Sequence, residues 1–490
     1  MKAVRKLAAI VVAVALFALP AVASAKGGVD RSFGRHGRVI ARLPGTMPGG
    51  PRLAGLARAP RGRIVAALSL PSTLGAAGSA LVIRYRPNGR PDQAFGNHGR
   101  VEVPGSRLAP DASFQPSDVA VDSHGRVLLA GTVSERCFPA CHPWRSLLAV
   151  VRLRPDGRID RRFGHDGVTV TGFGLPGPEP LGLFPIDLRP AVTGARILVK
   201  RRGAIVVAGT VSVRIAYAGR PLPSNWYAPL LARLTPNGHR DLRFGSGGVT
   251  VLASLAHPRP NVNALAVDSR GRISAAVCAT DYGGTLVAGK LGVLRLLGDG
   301  APDLSYGPGG LRETTECPRS MAIDPYRRTL VLLGPSGEAF TGEVAPATLE
   351  RWRASGLPDR RFGRGGRVAP PVRHGHPTVW QDVLAGRRGR VALGGMLART
   401  ERPGLPGLAG FRLLATKLAR TGRPDRRFGR RGQRSSGIGA KSSFAFPGQA
   451  RALLDGRGRV VVATVIAYGE YERAPLFLSM VRYLAGHSRR

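Results

Sequence analysis

Carboxylates are scarce in this chain of 490 residues: 30 Asp and Glu stand against 73 Lys and Arg, a formal net charge of +43. A calcium ion wants several clustered carboxylate and carbonyl oxygens, and no repeated stretch of the sequence offers such a set. Cysteine is rarer still. Cys137, Cys141, Cys278 and Cys317 are too scattered for a compact four-ligand zinc site, even with His142 beside the first pair. There is no Gly-x-Ser-x-Gly elbow and no His-Glu-x-x-His pair, which removes the lipase-type nucleophile and the zincin metal centre. No nucleic-acid-binding fold motif is present, so sequence-specific DNA reading is not expected. Helices of about ten or more residues are also missing from the pattern, and the longest apolar run, 7–19, is short of the about 20 residues that span a bilayer.

That apolar run belongs to a leader. Lys2, Arg5 and Lys6 precede it, and Ala23-Ser24-Ala25 follows with the small residues a signal peptidase accepts. Residues 1–25 therefore read as a signal peptide, with an uncleaved anchor as the alternative. The mature chain, 26–490, is expected to be secreted, extracellular or cell-surface associated. The absence of a cysteine after the run argues against a lipoprotein. The end, His487-Ser488-Arg489-Arg490, carries no hydrophobic tail, so no membrane anchor is expected after cleavage.

What the sequence has in abundance is one phrase. Asp-x-x-Phe-Gly-x-x-Gly, or a close variant, begins at Asp30, Asp92, Asp160, Asp241, Asp303, Asp359 and Asp425, roughly sixty residues apart each time. The order within a unit is constant. In the second, 116–121 is followed by the turn Asp122-Ser123-His124-Gly125-Arg126, and then by the apolar run 127–133. A variable loop leads to 147–153, Pro155-Asp156-Gly157 turns the chain, and the phrase precedes a short run at 168–170. Glycine and Asp-Gly or Asn-Gly steps accept positive φ cheaply, so they punctuate short β-rich runs. Four short strands per unit, repeated seven times, predict a radially repeated all-β fold: a single seven-bladed β-propeller of four-stranded blades. The second-strand runs 127–130, 205–208 and 460–463 are continuously apolar, as strands sandwiched between neighbouring blades must be. The phrase aromatics, Tyr306 and six phenylalanines, are expected to pack between blades, and the phrase Asp to cap nearby backbone N–H groups.

The phrase, preceded by Arg86-Pro87-Asn88-Gly89-Arg90 or Arg154-Pro155-Asp156-Gly157-Arg158, resembles the delta-60 repeat of uncharacterised secreted bacterial proteins. The Ala-Val-Asp-Ser-x-Gly-Arg stretches at 120–126 and 266–272 are similar to NHL-type and gluconolactonase-type propeller blades. The resemblance spans essentially the whole mature chain and implies a β-propeller. It transfers no catalytic motif. The fifth unit departs most, with Tyr306 for Phe and Pro325-Tyr326-Arg327 in its turn.

Propeller topology divides the loops between two faces. First-to-second and third-to-fourth connections are short and stereotyped here, whereas the opposite face takes the long segments 134–146, 172–193, 213–229 and 398–410. Variable loops over a rigid scaffold are where binding chemistry usually lies. Charge points to the stereotyped face, which would carry Arg31, Arg35, Arg158, Arg161, Arg162, Arg240, Arg243, Arg360, Arg361, Arg364, Arg426, Arg427, Arg430 and Arg431. Arginine forks suit phosphate and carboxylate groups. Such a face would meet a cell-wall phosphopolymer, an acidic glycan or an anionic lipid surface, although coding bias toward Arg, Gly, Pro and Ala also explains the charge.

The leading expectation is a binding or structural module, monomeric and without cofactor, metal or catalytic residues. The alternative is a propeller hydrolase or lactonase-like enzyme on the long-loop face. Asp118, Arg196, Asn263, Asp382 and Arg451 are the polar residues expected on first strands, read as solvated channel lining. His36, His98 and His165 read as turn surface, and His374 and His376 beside Trp380 offer the least implausible small site. Two structural expectations complete the reading. Cys137–Cys141 would staple one loop and Cys278–Cys317 would bridge consecutive blades, one of three pairings open to four cysteines. Residues 37–41 should pair with 477–484, because the last blade lacks an outer strand and the N-terminus has one to spare.

Overall fold

The computed structural model describes residues 28–485 except for 47–49, 73–76, 136–145, 172–183, 217–223, 253–259, 280–291, 335–346, 373–377, 401–407, 438–442, 446–449 and 469–473. These segments lie between second and third strands or between one blade and the next, except 446–449, which falls within the split first strand of blade 7. The signal-peptide region, Cys137, Cys141, His374 and His376 therefore lie outside the described residues.

Seven antiparallel sheets follow one another along the chain. In the second, Ala112–Val121, Val127–Glu135, Ser146–Leu153 and Val168–Thr171 pair in sequence order, and the other blades repeat that order. Blades 1 to 6 occupy 52–104, 112–171, 184–251, 260–313, 317–368 and 378–437. First strands touch their neighbours around a complete circuit, the first blade meeting the seventh. The fold is an all-β seven-bladed propeller.

The seventh blade closes the ring. Arg38–Thr46 lies antiparallel against Pro475–Tyr483, with Arg38 opposite Val481, Val39 opposite Met480 and Ala41 opposite Leu478. The N-terminal strand thus supplies the fourth strand, as its spare position in the repeat predicts. The blade's first strand is split into Ser443–Ala445 and Arg451–Leu454, both paired with Val460–Tyr468.

The core consists of apolar layers between successive blades rather than one central mass. Val127, Leu129, Val206, Val207 and Val460 through Ala463 are fully buried on second strands. The phrase aromatics complete the layers: the six phenylalanines are wholly buried and Tyr306 is 3% exposed. Each buried Phe contributes about 2–3 kcal/mol relative to exposure. The glycine after the aromatic has a strict role. Gly96 has φ +53, and a β-carbon there would run into the Arg100 carbonyl. Its N–H donates to the Asp156 carbonyl of the next blade at 2.8 Å.

Cys278 on a second strand of blade 4 is bonded to Cys317 on the first strand of blade 5, so the expected inter-blade disulfide is present.

Candidate functional site

Each phrase Asp holds two partners. Its Oδ1 accepts a backbone N–H two residues on, as at Ser32 (3.1 Å), Ser305 (3.1 Å) and Arg427 (3.1 Å), which is the expected cap. In most blades its Oδ2 accepts from a guanidinium on the third strand, which sequence reading missed. Arg84–Asp92, Arg152–Asp160, Arg233–Asp241, Arg295–Asp303 and Arg351–Asp359 are 2.8–2.9 Å pairs, and Arg482–Asp30 closes the ring at 2.9 Å. Every one of these arginines also lies over the phrase aromatic, with Arg295 4.0 Å from the Tyr306 centroid and Arg482 4.4 Å from that of Phe33. Finally, each reaches a carbonyl of the following blade: Arg84 to Pro155 at 2.6 Å, Arg351 to Arg420 at 2.5 Å, and Arg482 to Pro87. The signal was available, since an arginine stands eight residues before each of five phrase aspartates.

Blade 6 carries Lys417 at that place, 4.9 Å from the Phe428 centroid and donating to Gly458 O at 2.6 Å and Ala485 O at 2.9 Å. Burial pulls this ammonium down to about 8, with Asp425 opposing. Between about pH 8 and 10.5 the unfolded chain then holds more protons at this residue than the folded one, so stability rises with pH through that window. We expect wild type to gain about 2 kcal/mol over Lys417→Arg between pH 8 and pH 10. Paired urea titrations at the two pH values check it, and parallel pH profiles for the two proteins would refute it.

A second circle of polar contacts runs round the channel. The Asp118 carboxylate accepts from Ile197 N (3.1 Å), Arg196 donates to Asn263 O (2.8 Å), and Asn263 donates to Pro318 O (3.2 Å). Ser320 Oγ accepts from Val383 N (3.2 Å), Asp382 from Ala452 N (2.6 Å), and Arg451 donates to Ala54 O (3.4 Å). Each contact joins one blade to the next. At the remaining step stands Gly55, whose missing side chain admits Asp118: a β-carbon would lie 3.0 Å from Oδ1. The five channel residues named from sequence thus line the channel, but as inter-blade stitches rather than as merely solvated groups. Burial raises Asp118 and Asp382 above the usual carboxylate range although Arg196 and Arg451 both oppose it. These carboxylates are committed to backbone N–H groups, at Val119 and Ile197 for Asp118 and at Ala452 for Asp382, which leaves them poorly placed to receive a cation.

The stereotyped face carries the exposed charge. Of the fourteen arginines expected there, thirteen are exposed and Arg240 is half-buried. Closer to the channel, the first-to-second-strand turns add eight that sequence reading passed over: Arg61, Arg201, Arg202, Arg270, Arg327, Arg387, Arg388 and Arg457. Seven are exposed and Arg327 is half-buried. Four of these turns open with an Asp that pairs with the arginine closing the same turn: Asp122–Arg126, Asp268–Arg272, Asp324–Arg328 and Asp455–Arg459, at 2.5–2.7 Å. In blades 1, 3 and 6 that position is Ala59, Lys200 or Gly386. The aspartates that open these turns are thus consumed by turn-closing arginines, and no ion pair to the eight tip arginines is found among the described residues.

The histidines sit where turns need them. His36 and His98 adopt positive φ at exposed tips (53° and 49°), and His98 Nδ1 lies 2.8 Å from Gln93 Oε1. Trp380 is core, 1% exposed against Leu393 and Leu414. The long-loop face, where the hydrolase alternative would lie, is built largely from segments outside the described residues. Among the described residues no group of three or more His, Cys, Asp or Glu could hold a metal ion, and no helix is long and apolar enough to cross a membrane.

No family model matches the chain, and no curated protein matches it. Solved structures resemble it in fold. A protein of unknown function from Dyadobacter fermentans is 12% identical with a TM-score of 0.37, over 91% of this chain and 99% of that one. An alpha-L-arabinanase from Penicillium chrysogenum is 12% identical with a TM-score of 0.38, over 90% and 96%. The polysaccharide lyase Uly1 is 9% identical with a TM-score of 0.38, over 93% and 97%. None of these likenesses bears on what this chain does.

Proposed function

We propose that this chain is an exported binding module that engages polyanionic surface material, foremost a phosphopolymer, through its stereotyped face. The observation that carries the reading is the crown of eight tip arginines around the channel mouth, without carboxylate partners among the described residues and surrounded by the exposed arginines of the outer turns. Guanidinium forks match phosphate oxygens, and repetition around a ring presents them at many rotational settings, which suits a polymer without fixed register. The delta-60 resemblance supports a binding role, since it brings no catalytic motif with it.

Replacing Arg61, Arg270, Arg388 and Arg457 by Ser together should weaken binding to long-chain polyphosphate by about a thousandfold at low salt, at about 1 kcal/mol per charge-assisted contact. Wild-type binding should also fall steeply between 50 and 300 mM salt as screening shortens the range of each charge. Fluorescence anisotropy with labelled polyphosphate measures both. Salt-independent binding, or an unchanged quadruple variant, would overturn the reading. Arrays of acidic glycans and anionic vesicles, run beside the polyphosphate, test the choice of partner.

A further inference from the structure

Departures from the repeat converge on one blade junction. The residue before the first-to-second-strand turn is apolar in six blades, as Val121, Val199, Val267, Ile323, Ala385 and Leu454, but is Arg58 in the first. Ala59 follows it, where four blades have the turn-opening Asp. Across the seam, blade 7 has Gly456 where blades 2 and 4 have Ser123 and Ser269. The Arg58 guanidinium lies over that bare position: a β-carbon on Gly456 would sit 2.8 Å from its Nη2.

A cleft of about 450 Å³ opens here between blades 7 and 1. That volume lies within the about 300–1,000 Å³ of small-molecule sites. Asp455, Arg459 and Arg482 line it and are already engaged, Asp455 with Arg459 at 2.6 Å and both arginines with Asp30, at 2.7 and 2.9 Å. Arg58, Arg61 and Arg457 line it too, and none of the three has an ion-pair partner among the described residues. Asn88 adds a side-chain amide that can donate or accept. Three guanidiniums without an ion-pair partner favour a dianion over a monoanion, and a cleft of this size favours a compact polar body over a continuous polymer strand.

We propose that this seam cleft is a discrete site for a phosphate monoester, carried by a free sugar phosphate or by the terminus of a phosphopolymer. The proposal rests on the reading of the basic mouth as an anion surface and narrows it to one saturable pocket. Isothermal titration of the mature protein with glucose 6-phosphate should give one-site saturation. Glucose 6-sulfate, a monoanion, should bind about tenfold more weakly, and glucose not at all. Arg58→Val installs the kind of residue the other blades tolerate at this place and should weaken glucose 6-phosphate by about tenfold or more, the scale of one charge-assisted hydrogen bond. Gly456→Ser, which fills the bare position, should weaken it likewise, whereas Arg52→Ser, an exposed arginine at the other end of the first blade's first strand, should leave it unchanged. Polyphosphate titrated with its ends blocked and unblocked separates the two sources, since only free termini would compete with the sugar phosphate.

No saturable glucose 6-phosphate binding, equal binding of the sulfate, or unchanged affinity in Arg58→Val would overturn the proposal. If such a result came with intact salt-sensitive polyphosphate binding, the cleft would fall and the wider reading would stand. Saturable, Arg58-dependent sugar phosphate binding without polyphosphate binding would sustain the cleft and sink the wider reading.

Discussion

A chain shortened through Ala41 is expected to lose its seventh blade and with it the closed ring. The cut removes four of the six residues in register with Pro475–Tyr483, leaving an unpaired edge and the apolar flank of that blade open to water. It also removes Asp30, whose carboxylate holds Arg482 at 2.9 Å and Arg459 at 2.7 Å. Burial raises the Asp30 carboxyl, but Ser32, Arg482 and Arg459 together hold it below its ordinary value, so the charged form is the one the fold uses. The single change Asp30→Ala should already cost about 3–5 kcal/mol, the scale for stranding one member of a buried ion pair. The truncation should exceed that and shift the protein toward aggregates in size-exclusion chromatography. A peptide covering 28–46, added in trans, should recover part of the thermal transition by occupying the vacant edge. A truncated protein that melted with the full chain would defeat this account of closure.

Replacing Cys278 and Cys317 by Ala should produce the next largest loss. The bond spans 39 residues of sequence and joins two blades. The loop-closure relation for a span of that length gives about 4 kcal/mol, most of it exerted on the unfolded chain. Chemical denaturation of the double variant beside wild type under non-reducing conditions measures it. A loss under about 1 kcal/mol would mean that the unfolded ensemble already keeps these blades together.

How much of this was legible in the sequence depended on whether a residue's role was local. The phrase glycine, its aromatic and the turn tips stand at fixed places in every repeat, so their spacing disclosed blades, strand order and even the missing outer strand that Arg38–Thr46 supplies. Arg84 and its counterparts act across a joint, touching a carboxylate eight residues on and a carbonyl on the next blade. Nothing in their immediate surroundings marks them, although their constant offset from the phrase Asp does. Asp118 and Asp382 were harder still, because their partners Ile197 and Ala452 lie far away in sequence and are backbone groups without identity. The tip arginines were visible as turn residues. Their lack of acids emerged only once the turn aspartates were seen to be paired within their own turns. Arg58 was detectable as a break in an apolar column, but its meaning needed Gly456 across the seam.

The direction of the third-strand arginine contacts has a consequence for how the molecule is made. Each arginine donates forward in chain order, from blade 1 to blade 2 and onward, and only Arg482 points back to the beginning, at Pro87. During synthesis every donor therefore waits for an acceptor not yet built. The final donor waits for nothing, because its acceptor emerged among the first residues. Each joint of blades 1 to 5 can be completed once the following blade emerges, 59 to 84 residues later, and only the contacts of blade 7 need the final strand. Closure of the ring, which the contact of Arg482 with Pro87 completes, is thereby postponed to the end of translation.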